Sequence, residues 1–415
     1  MNWFREFDGK QRKAFWACFG GWALDAMDVQ MYALVLPTLL AEWSLTKAQG
    51  GTLGTATLMA SSIGGVAAGY LADRIGRVKV LQICVLWFSL FTFLSGLTQN
   101  FGQLFFCRVM QGIGFGGEWA AGAVLMAEII SAKNRGKVLA AVSSGWSVGY
   151  GAAVVLYAIM FALFTPAMAW RVMFLLGILP SFLTIYVQRN VTEPEIYTAS
   201  KAAATQSASL ADIFRSGLGR TTVAAWAVCL GVLGGNYTIL LWLPTYLKEE
   251  RHLSSSTSSV YLLVNIFGSF LGYIIGGVIS DRLGRRNALR LFAVVGTLSV
   301  FSYLLLASSP FAILVLGFPL GFAQSAMNSG LAPLLSELYP TRLRATGQGF
   351  CYNAGRGVGA IFPALVGLLA ASAGLTVAIS AAAAGTYALV LFCSFLLPET
   401  RDRQLNAIEV AGQKP

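Results

Sequence analysis

Long runs of apolar residues, separated by short polar segments, cover nearly the whole chain. Each run is close to the ~20 residues that a helix needs to cross the ~30 Å hydrocarbon core of a bilayer. The runs are continuously apolar rather than alternating, which favours helices over the strands of an outer-membrane barrel. We therefore predict an all-α integral membrane protein whose twelve transmembrane helices lie at about residues 14–40, 51–72, 79–98, 103–127, 138–164, 170–188, 221–247, 257–280, 289–307, 311–334, 345–371 and 374–397.

A nine-residue motif occurs twice, each time between two apolar runs. The first copy is Gly69-Tyr-Leu-Ala-Asp-Arg-Ile-Gly-Arg77, and the second is Gly277-Val-Ile-Ser-Asp-Arg-Leu-Gly-Arg285. The copies lie 208 residues apart in a chain of 415. Two related halves of six helices each are an arrangement found in secondary transporters.

The longest polar interruption divides the predicted helices into six and six. We expect an N-terminal six-helix bundle at residues 1–188, a polar linker at 189–220, a C-terminal six-helix bundle at 221–397 and a polar tail at 398–415. The composition of the linker around Lys201 is small and polar, which is typical of a connection between domains.

Composition excludes a water-soluble protein. The chain is 56% hydrophobic and 11% charged, whereas soluble domains carry about 25% charged residues. The net charge of +11 suggests a nucleic-acid partner at first, but 23 of the 29 Lys and Arg fall on one side of the membrane if both termini are cytoplasmic. This is the positive-inside bias. We therefore expect a multi-pass protein of the cell inner membrane with cytoplasmic termini and no nucleic-acid partner.

The scarce reactive side chains argue against an enzyme. All six cysteines lie within apolar runs without a Cys-x-x-Cys pair, so we interpret them as small hydrophobic residues. The only histidine, His252, lies in the loop after the seventh helix. We therefore predict no Ser-His-Asp set within the membrane, no phosphate-binding loop and no metal site. No cofactor is expected.

Five charged residues lie away from the ends of the predicted helices: Asp25, Asp28, Arg108, Glu118 and Arg356. A charge at the bilayer centre costs at least ~2.5–3.5 kcal/mol, so each is a functional candidate. At a rise of ~1.5 Å per residue, Asp25 and Arg356 both lie ~18 Å from the cytoplasmic ends of their helices. We expect these two residues to face one aqueous cavity from opposite halves.

Asp25, Asp28 and Glu118 are the candidates for proton coupling. Asp25 and Asp28 are spaced i and i+3, so they share a helix face. Two adjacent carboxylates repel each other and a dry site disfavours their ionisation, so at least one is expected to exchange a proton near physiological pH. Alternatively, one of them only caps or pairs with another helix.

Arg356 is the main candidate for binding an anionic substrate, because its planar guanidinium can donate two parallel hydrogen bonds to a carboxylate. Tyr352 and Asn353 share its helix face and could add neutral donors. The alternative is a permanent salt bridge from Arg356 to an aspartate of the first helix. Arg108 could serve substrate binding or proton transfer, or could pair with Glu118 or Asp28.

Several polar and aromatic residues complete the predicted site. Further candidates for substrate binding are Gln111, Asn236, Tyr237, Gln324 and Asn328. Trp119, Trp146 and Tyr150 could form an aromatic wall. Trp242 and Tyr246 lie nearer the outer end of the seventh helix, and we expect them to anchor that helix at the membrane surface.

Single acidic residues lie among the bases of the cytoplasmic loops in both halves. We interpret them as an ion-pair latch that favours the outward-open state; the alternative is that the bases only orient the protein in the membrane. The predicted gate consists of Asp73, Arg74, Arg77, Glu128, Arg135, Asp281, Arg282, Arg285, Glu337 and Arg344.

The repeated loop motif, together with Pro398-Glu-Thr-Arg401 after the last helix, resembles the major facilitator superfamily. Within that superfamily, Arg108-Val-Met-Gln-Gly-Ile-Gly-Phe-Gly-Gly-Glu-Trp119 and Gln348-Gly-Phe-Cys-Tyr-Asn-Ala-Gly-Arg-Gly357 are similar to sialate:proton and related metabolite:proton symporters. The Pro-Glu-Ser-Pro-Arg motif of sugar carriers is replaced by Thr192-Glu-Pro-Glu195, which disfavours a neutral sugar.

The resemblance implies a proton-coupled symporter that imports a small organic anion, such as a monocarboxylate, a sialate or an aromatic acid, by alternating access. Its expected partners are that anion, a proton and the lipid bilayer. We expect the protein to function as a monomer. The alternatives are a drug or metabolite exporter and a nutrient sensor of the same fold.

Overall fold

The computed structural model describes residues 7–129, 135–182, 184, 211–215 and 217–401. These parts of the chain form helices and no strand. The helices are α1 (Gly9–Glu42), α2 (Lys47–Ile75), α3 (Arg77–Ser95), α4 (Phe101–Ile129), α5 (Arg135–Leu163), α6 (Pro166–Leu176), α7 (Gly219–Glu249), α8 (Ser255–Leu283), α9 (Arg285–Phe301), α10 (Pro310–Leu338), α11 (Thr341–Gly359), α12 (Phe362–Ala373) and α13 (Leu375–Leu396).

The described residues contain ten helical spans that are long and apolar enough to cross a membrane, with α11 and α12 contributing to one of them. Helix α6 is apolar but only 11 residues long. The prediction of an all-helical, multi-span protein is confirmed, and the count of twelve spans stays a prediction. A single helical turn, Asp212–Arg215, lies between the halves, and the rest of the predicted linker falls outside the described residues.

Local sequence explains where the helices begin. The carboxylate of Asp8 accepts the backbone N–H of Gln11 at 2.6 Å, and Thr46 caps α2 in the same way through Gln49. Such caps satisfy backbone donors that have no partner in the first turn. At the repeated hinges, Gly76 and Gly284 have φ angles of 103° and 89°, a conformation that favours glycine.

Helices α2 and α4 of the first half cross as closely as α8 and α10 of the second half. A Cβ atom added to Gly64 would lie 2.0 Å from the carbonyl oxygen of Ile113, and one added to Gly268 would lie 2.1 Å from that of Phe318. Only glycine allows two backbones to approach this closely in a membrane. The two crossings join equivalent pairs of helices in the sequence repeat.

We call α1–α6 the N-half and α7–α13 the C-half. The end of the bundle that carries Gly76 and Gly284 is the repeat end, and the opposite end is the far end. At the far end the halves are in direct contact: Lys47 Nζ lies 3.1 Å from Glu249 Oε2, and Lys248 Nζ lies 3.2 Å from Thr38 Oγ1. These contacts close the far end between α1, α2 and α7.

The span predicted at residues 345–371 is interrupted. Helix α11 ends at Gly359 and α12 begins at Phe362, and Pro363 in the first turn of α12 has no N–H to continue the hydrogen-bond ladder. Thr55 of the N-half bridges the interruption, because its hydroxyl donates to Ala360 O at 2.6 Å and accepts from Ala364 N at 3.1 Å. A side chain of one half therefore satisfies backbone groups of the other half.

Candidate functional site

Arg356 on α11 lies in the interior, with 1% of its surface exposed. Its guanidinium carbon is 5.1 Å from the ring centre of Tyr352 and 5.4 Å from that of Phe115. Nη2 donates to the Tyr352 hydroxyl at 3.4 Å, and the hydroxyl of Tyr237 lies close enough to interact with the guanidinium electrostatically. The faces of the rings attract the cation and keep it away from water.

The Arg356 site is built from both halves. Phe115 is on α4 of the N-half, and Asp25 on α1 attracts the Arg356 guanidinium electrostatically. Asp25 is fully buried. The structure therefore places Asp25 of the N-half within electrostatic range of Arg356 of the C-half.

Arg356 keeps hydrogen-bonding capacity in this arrangement. Its Nε and Nη1 atoms are buried without a hydrogen-bond partner in the part of the chain that the structure describes. A buried donor left unsatisfied costs about 1–3 kcal/mol, and more when it is charged. These donors make Arg356 a candidate for binding a ligand.

A second charge cluster lies within the N-half. Gln111 Nε2 donates to Asp28 Oδ2, and the Arg108 guanidinium attracts the same carboxylate. Arg108 lies 4.7 Å from the ring centre of Tyr32. Asp28 is fully buried and Arg108 is 1% exposed. Of the alternatives left open by the sequence, Arg108 therefore lies with Asp28.

The second cluster is also incompletely paired. Asp28 Oδ1 and the Arg108 atoms Nε and Nη1 have no hydrogen-bond partner among the described residues. Because the carboxylate and the guanidinium both belong to the N-half, a movement between the halves need not separate them. The arrangement can lose or gain a proton at Asp28 without breaking contacts between the halves.

An aromatic wall adjoins Arg356. The rings of Phe115 and Trp146 lie 6.2 Å apart, and Trp146 lies 5.2 Å from Trp22. Leu58 and Ala360 complete this apolar cluster from α2 and from the start of the α11–α12 interruption. Phe115 did not stand out in the sequence as a site residue; it lies within the glycine-rich motif of α4, which could have indicated it.

Asn353 contacts the other half rather than the guanidinium. Its Nδ2 donates to Gly349 O at 3.1 Å, and its backbone oxygen accepts from Ser62 of α2 at 2.6 Å. Asn236 is buried in α7. These residues lie on the predicted helices, and their predicted contact with substrate stays a prediction.

Gln324 and Asn328 contact groups of the C-half. Gln324 lies near the hydroxyl of Tyr387, but Gln324 Nε2 and that hydroxyl have no hydrogen-bond partner among the described residues. Asn328 Nδ2 donates to Gln324 O at 3.5 Å. No contact recorded for the described residues joins this pair to Arg356.

The expectation that Trp242 and Tyr246 anchor α7 at the membrane surface is wrong. Both side chains are fully buried. Trp242 Nε1 donates to Pro363 O at 3.0 Å, and the Tyr246 hydroxyl donates to Leu304 O at 3.3 Å and accepts from Arg251 Nε at 2.6 Å. The polar tips of both rings find partners inside the protein.

The charged residues of the C-half gate form one network at the repeat end. Arg285 Nη2 lies 3.0 Å from Glu337 Oε1, and Arg285 also pairs with Asp281. Glu399 accepts the backbone N–H of Arg285 at 2.9 Å, and Arg401 donates to Arg282 O at 2.7 Å. These contacts remain within the C-half.

The structure describes the side chains of only some of the remaining gate residues. Arg344 Nε donates to Ser336 O at 2.9 Å, and the Arg74 guanidinium lies 4.3 Å from the Tyr70 ring centre. The other predicted side chains of the gate and of the proton site lie outside the described side chains; they are those of Asp73, Arg77, Glu118, Glu128 and Arg135. The latch stays a prediction.

The sequence matches the family model of the Major Facilitator Superfamily at residues 18–350 and 252–414. The chain belongs to this superfamily. It is 40% identical over 99% of its length to a protein of Cupriavidus pinatubonensis named a probable 4-methylmuconolactone transporter, of which the match covers 95%. It is 27% identical over 95% of its length to the sialic acid transporter NanX of Escherichia coli, with 96% of that protein covered.

A solved structure confirms the superfamily fold. The crystal structure of a bacterial homologue of the human lysosomal transporter Spinster, in an inward-facing and unoccupied conformation, superposes with a TM-score of 0.71. The match covers 94% of this chain and 96% of the other, at 16% identity. The predicted family is confirmed, and the chain is a multi-pass membrane transport protein rather than an enzyme.

Proposed function

We propose that the protein is a proton-coupled symporter of the cell inner membrane that imports a small organic anion by alternating access. The observation that carries this proposal is Arg356, a buried cation with unsatisfied donors at a contact between the two halves. The relatives named as transporters of 4-methylmuconolactone and sialic acid support an organic substrate.

The substrate carboxylate binds Arg356 in this proposal. Its oxygens accept hydrogen bonds from Nε and Nη1, which have no hydrogen-bond partner among the residues that the structure describes. Hydrogen bonds to a charged group contribute about 1.5–3 kcal/mol each. The rings of Phe115 and Tyr352 hold the guanidinium in place, and the apolar wall around Trp146 contacts the body of the acid.

The proton is carried by Asp28 in this proposal, and Asp25 senses the substrate. Asp25 interacts with Arg356 across the halves, so a substrate carboxylate competes with Asp25 for the guanidinium. Asp28 is held with Arg108 and Gln111 inside the N-half. Protonation of Asp28 removes one buried charge, which lowers the cost of enclosing the loaded site in an apolar interior.

Alternating access then requires the far end to open. Breaking the contacts of Lys47 with Glu249 and of Lys248 with Thr38 would separate α1 and α2 from α7. The domain division predicted from the sequence supplies the two moving bodies, with the repeat end in the cytoplasm. A monomer contains every group that this cycle uses.

The direct test is ligand binding by the purified protein. A panel of monocarboxylates, sialate and aromatic acids is screened by thermal shift at several pH values, because a ligand that binds the folded state raises the midpoint. We expect stabilisation by at least one acid and none by its neutral amide. Stabilisation by amides as well as acids would contradict the role of Arg356 and favour a broad exporter.

A further inference from the structure

A row of hydroxyl groups crosses from the N-half into the C-half. Ser147 Oγ on α5 lies 3.1 Å from Ser269 Oγ on α8, and Ser269 forms a hydrogen bond with Ser325 on α10. Ser325 also lies beside the hydroxyl of Tyr273 on α8. Ser147, Ser325 and Tyr273 are buried, with Ser147 at 2% and Ser325 at 4% exposure, and Ser269 is half-buried.

The hydroxyl row ends beside the Arg356 site. Tyr273 lies close enough to Tyr352 and Tyr237 to interact with both electrostatically. The same two tyrosines interact with the Arg356 guanidinium, Tyr352 through a hydrogen bond and Tyr237 electrostatically. The row and the cation therefore border one region between the halves.

Several hydroxyl residues of the bundle donate within their own helix. Thr92 and Ser95 donate to backbone oxygens one turn earlier in their own helix, at 2.9 Å and 2.8 Å, which satisfies the donor locally. Ser147, Ser269 and Ser325 instead bond to groups on neighbouring helices. If these positions were needed only for close helix packing, alanine would suffice, because it has no polar group whose burial costs free energy.

The row retains hydrogen-bonding capacity for a ligand. Each hydroxyl has one hydrogen to donate and two lone pairs to accept. The two bonds that link the three serines use two of their three hydrogens, so one serine donor and several lone pairs remain at a site between the halves. An uncharged oxygen group of a ligand, which both donates and accepts, matches this capacity.

We propose that Ser147, Ser269, Ser325 and Tyr273 form a subsite for a second, uncharged oxygen function of the transported acid, a hydroxyl or a carbonyl oxygen. The inference rests on the proposed function, in which Arg356 binds the carboxylate. The substrate class narrows to organic acids that carry such an oxygen at a distance from the carboxylate. Ser269 and Ser325 are then specificity residues.

The test compares matched acids in proteoliposomes. Uptake is measured for 3-hydroxybenzoate against benzoate and for lactate against propionate, and the ratio of kcat/KM is taken within each pair. We expect the wild-type protein to prefer the hydroxylated member of at least one pair by about twofold to tenfold, the effect of one net hydrogen bond. Ser269→Ala, Ser325→Ala and Tyr273→Phe should bring that ratio close to one.

Ser258→Ala is the matched control, since Ser258 is buried on the same helix α8 and stands outside the row. It should keep the wild-type ratio. Uptake of the acids without any preference for the hydroxylated member, or a preference that survives all three substitutions, would overturn the subsite while leaving the proposed function intact. Failure of the wild-type protein to take up any of the acids would contradict the proposed function itself.

Discussion

Asp25 and Asp28 lie one turn apart on α1 but interact with different arginines: Asp25 with Arg356 of the C-half, and Asp28 with Arg108 of the N-half. Asp25 therefore interacts across the two halves, whereas Asp28 interacts within the N-half. This division is the physical basis for assigning substrate sensing to Asp25 and proton exchange to Asp28.

Replacing Asp28 by Asn should uncouple transport from the proton gradient. The amide can still accept the hydrogen bond from Gln111, but it cannot gain or lose a proton. We expect an imposed pH gradient to drive no accumulation, while exchange of labelled for unlabelled acid continues. The measurement is uptake by proteoliposomes with and without the gradient.

Asp8→Asn is the control for this substitution, because Asp8 caps the start of the same helix and asparagine caps equally well. It should keep gradient-driven accumulation. Accumulation by Asp28→Asn at the wild-type level would show that the proton is carried elsewhere.

Replacing Phe115 by Leu should weaken substrate binding. The ring faces the Arg356 guanidinium at 5.4 Å, and its loss lets the cation move and admits water. A desolvated cation–π contact contributes up to about 2 kcal/mol, so KM should rise roughly tenfold. Phe88→Leu, a fully buried phenylalanine on α3, should cost similar stability and leave KM unchanged. Equal KM effects for both variants would count against the contact.

The Lys47–Glu249 contact should report the closing of the far end. These side chains are about one-third exposed, so the ion pair itself contributes only about 0–1 kcal/mol. Replacing both by cysteine and joining them with a short, reducible cross-linker should stop transport, and a reductant should restore it. Each single cysteine variant serves as a control. Full transport by the cross-linked protein would show that the far end need not open.

Replacing Thr55 by Val should destabilise the protein. The hydroxyl satisfies Ala360 O and Ala364 N at the interruption between α11 and α12, and each buried group left unpaired costs about 1–3 kcal/mol. We expect a lower unfolding midpoint in detergent and recovery with Thr55→Ser. Thr52→Val should have a small effect, since Thr52 bonds only within its own helix. Equal midpoints for the two valine variants would remove the proposed role of Thr55.

Much of the architecture could be predicted from the sequence, because apolar run length and repeat spacing depend on the bilayer and not on tertiary detail. The break after Gly359 could not, since the apolar run continues through Pro363 and the compensating hydroxyl comes from Thr55, about 300 residues away. The sequence also does not show whether an aromatic residue near a helix end faces lipid or protein. For this reason the prediction for Trp242 was wrong.

The candidate site was predictable in part for a similar reason. Helix rise gives depth, and depth alone placed Asp25 and Arg356 at the same level. It gives no direction around the helix axis. The partners of Asp28 and the row of serines depend on which neighbouring helix each side chain meets, and single serines are too common in membrane helices to mark a site.

In the proposed cycle an anionic substrate binds Arg356, which Asp25 of the other half attracts. This binding is tested most directly by proton-driven uptake, in proteoliposomes that contain Arg356→Lys or Asp25→Asn, of an acid that raises the unfolding midpoint of the wild-type protein. Arg171→Lys is the control, because Arg171 stacks on an aromatic ring elsewhere. We predict that both site variants lose gradient-driven uptake and that the control keeps it. Gradient-driven uptake retained by both site variants would contradict the account.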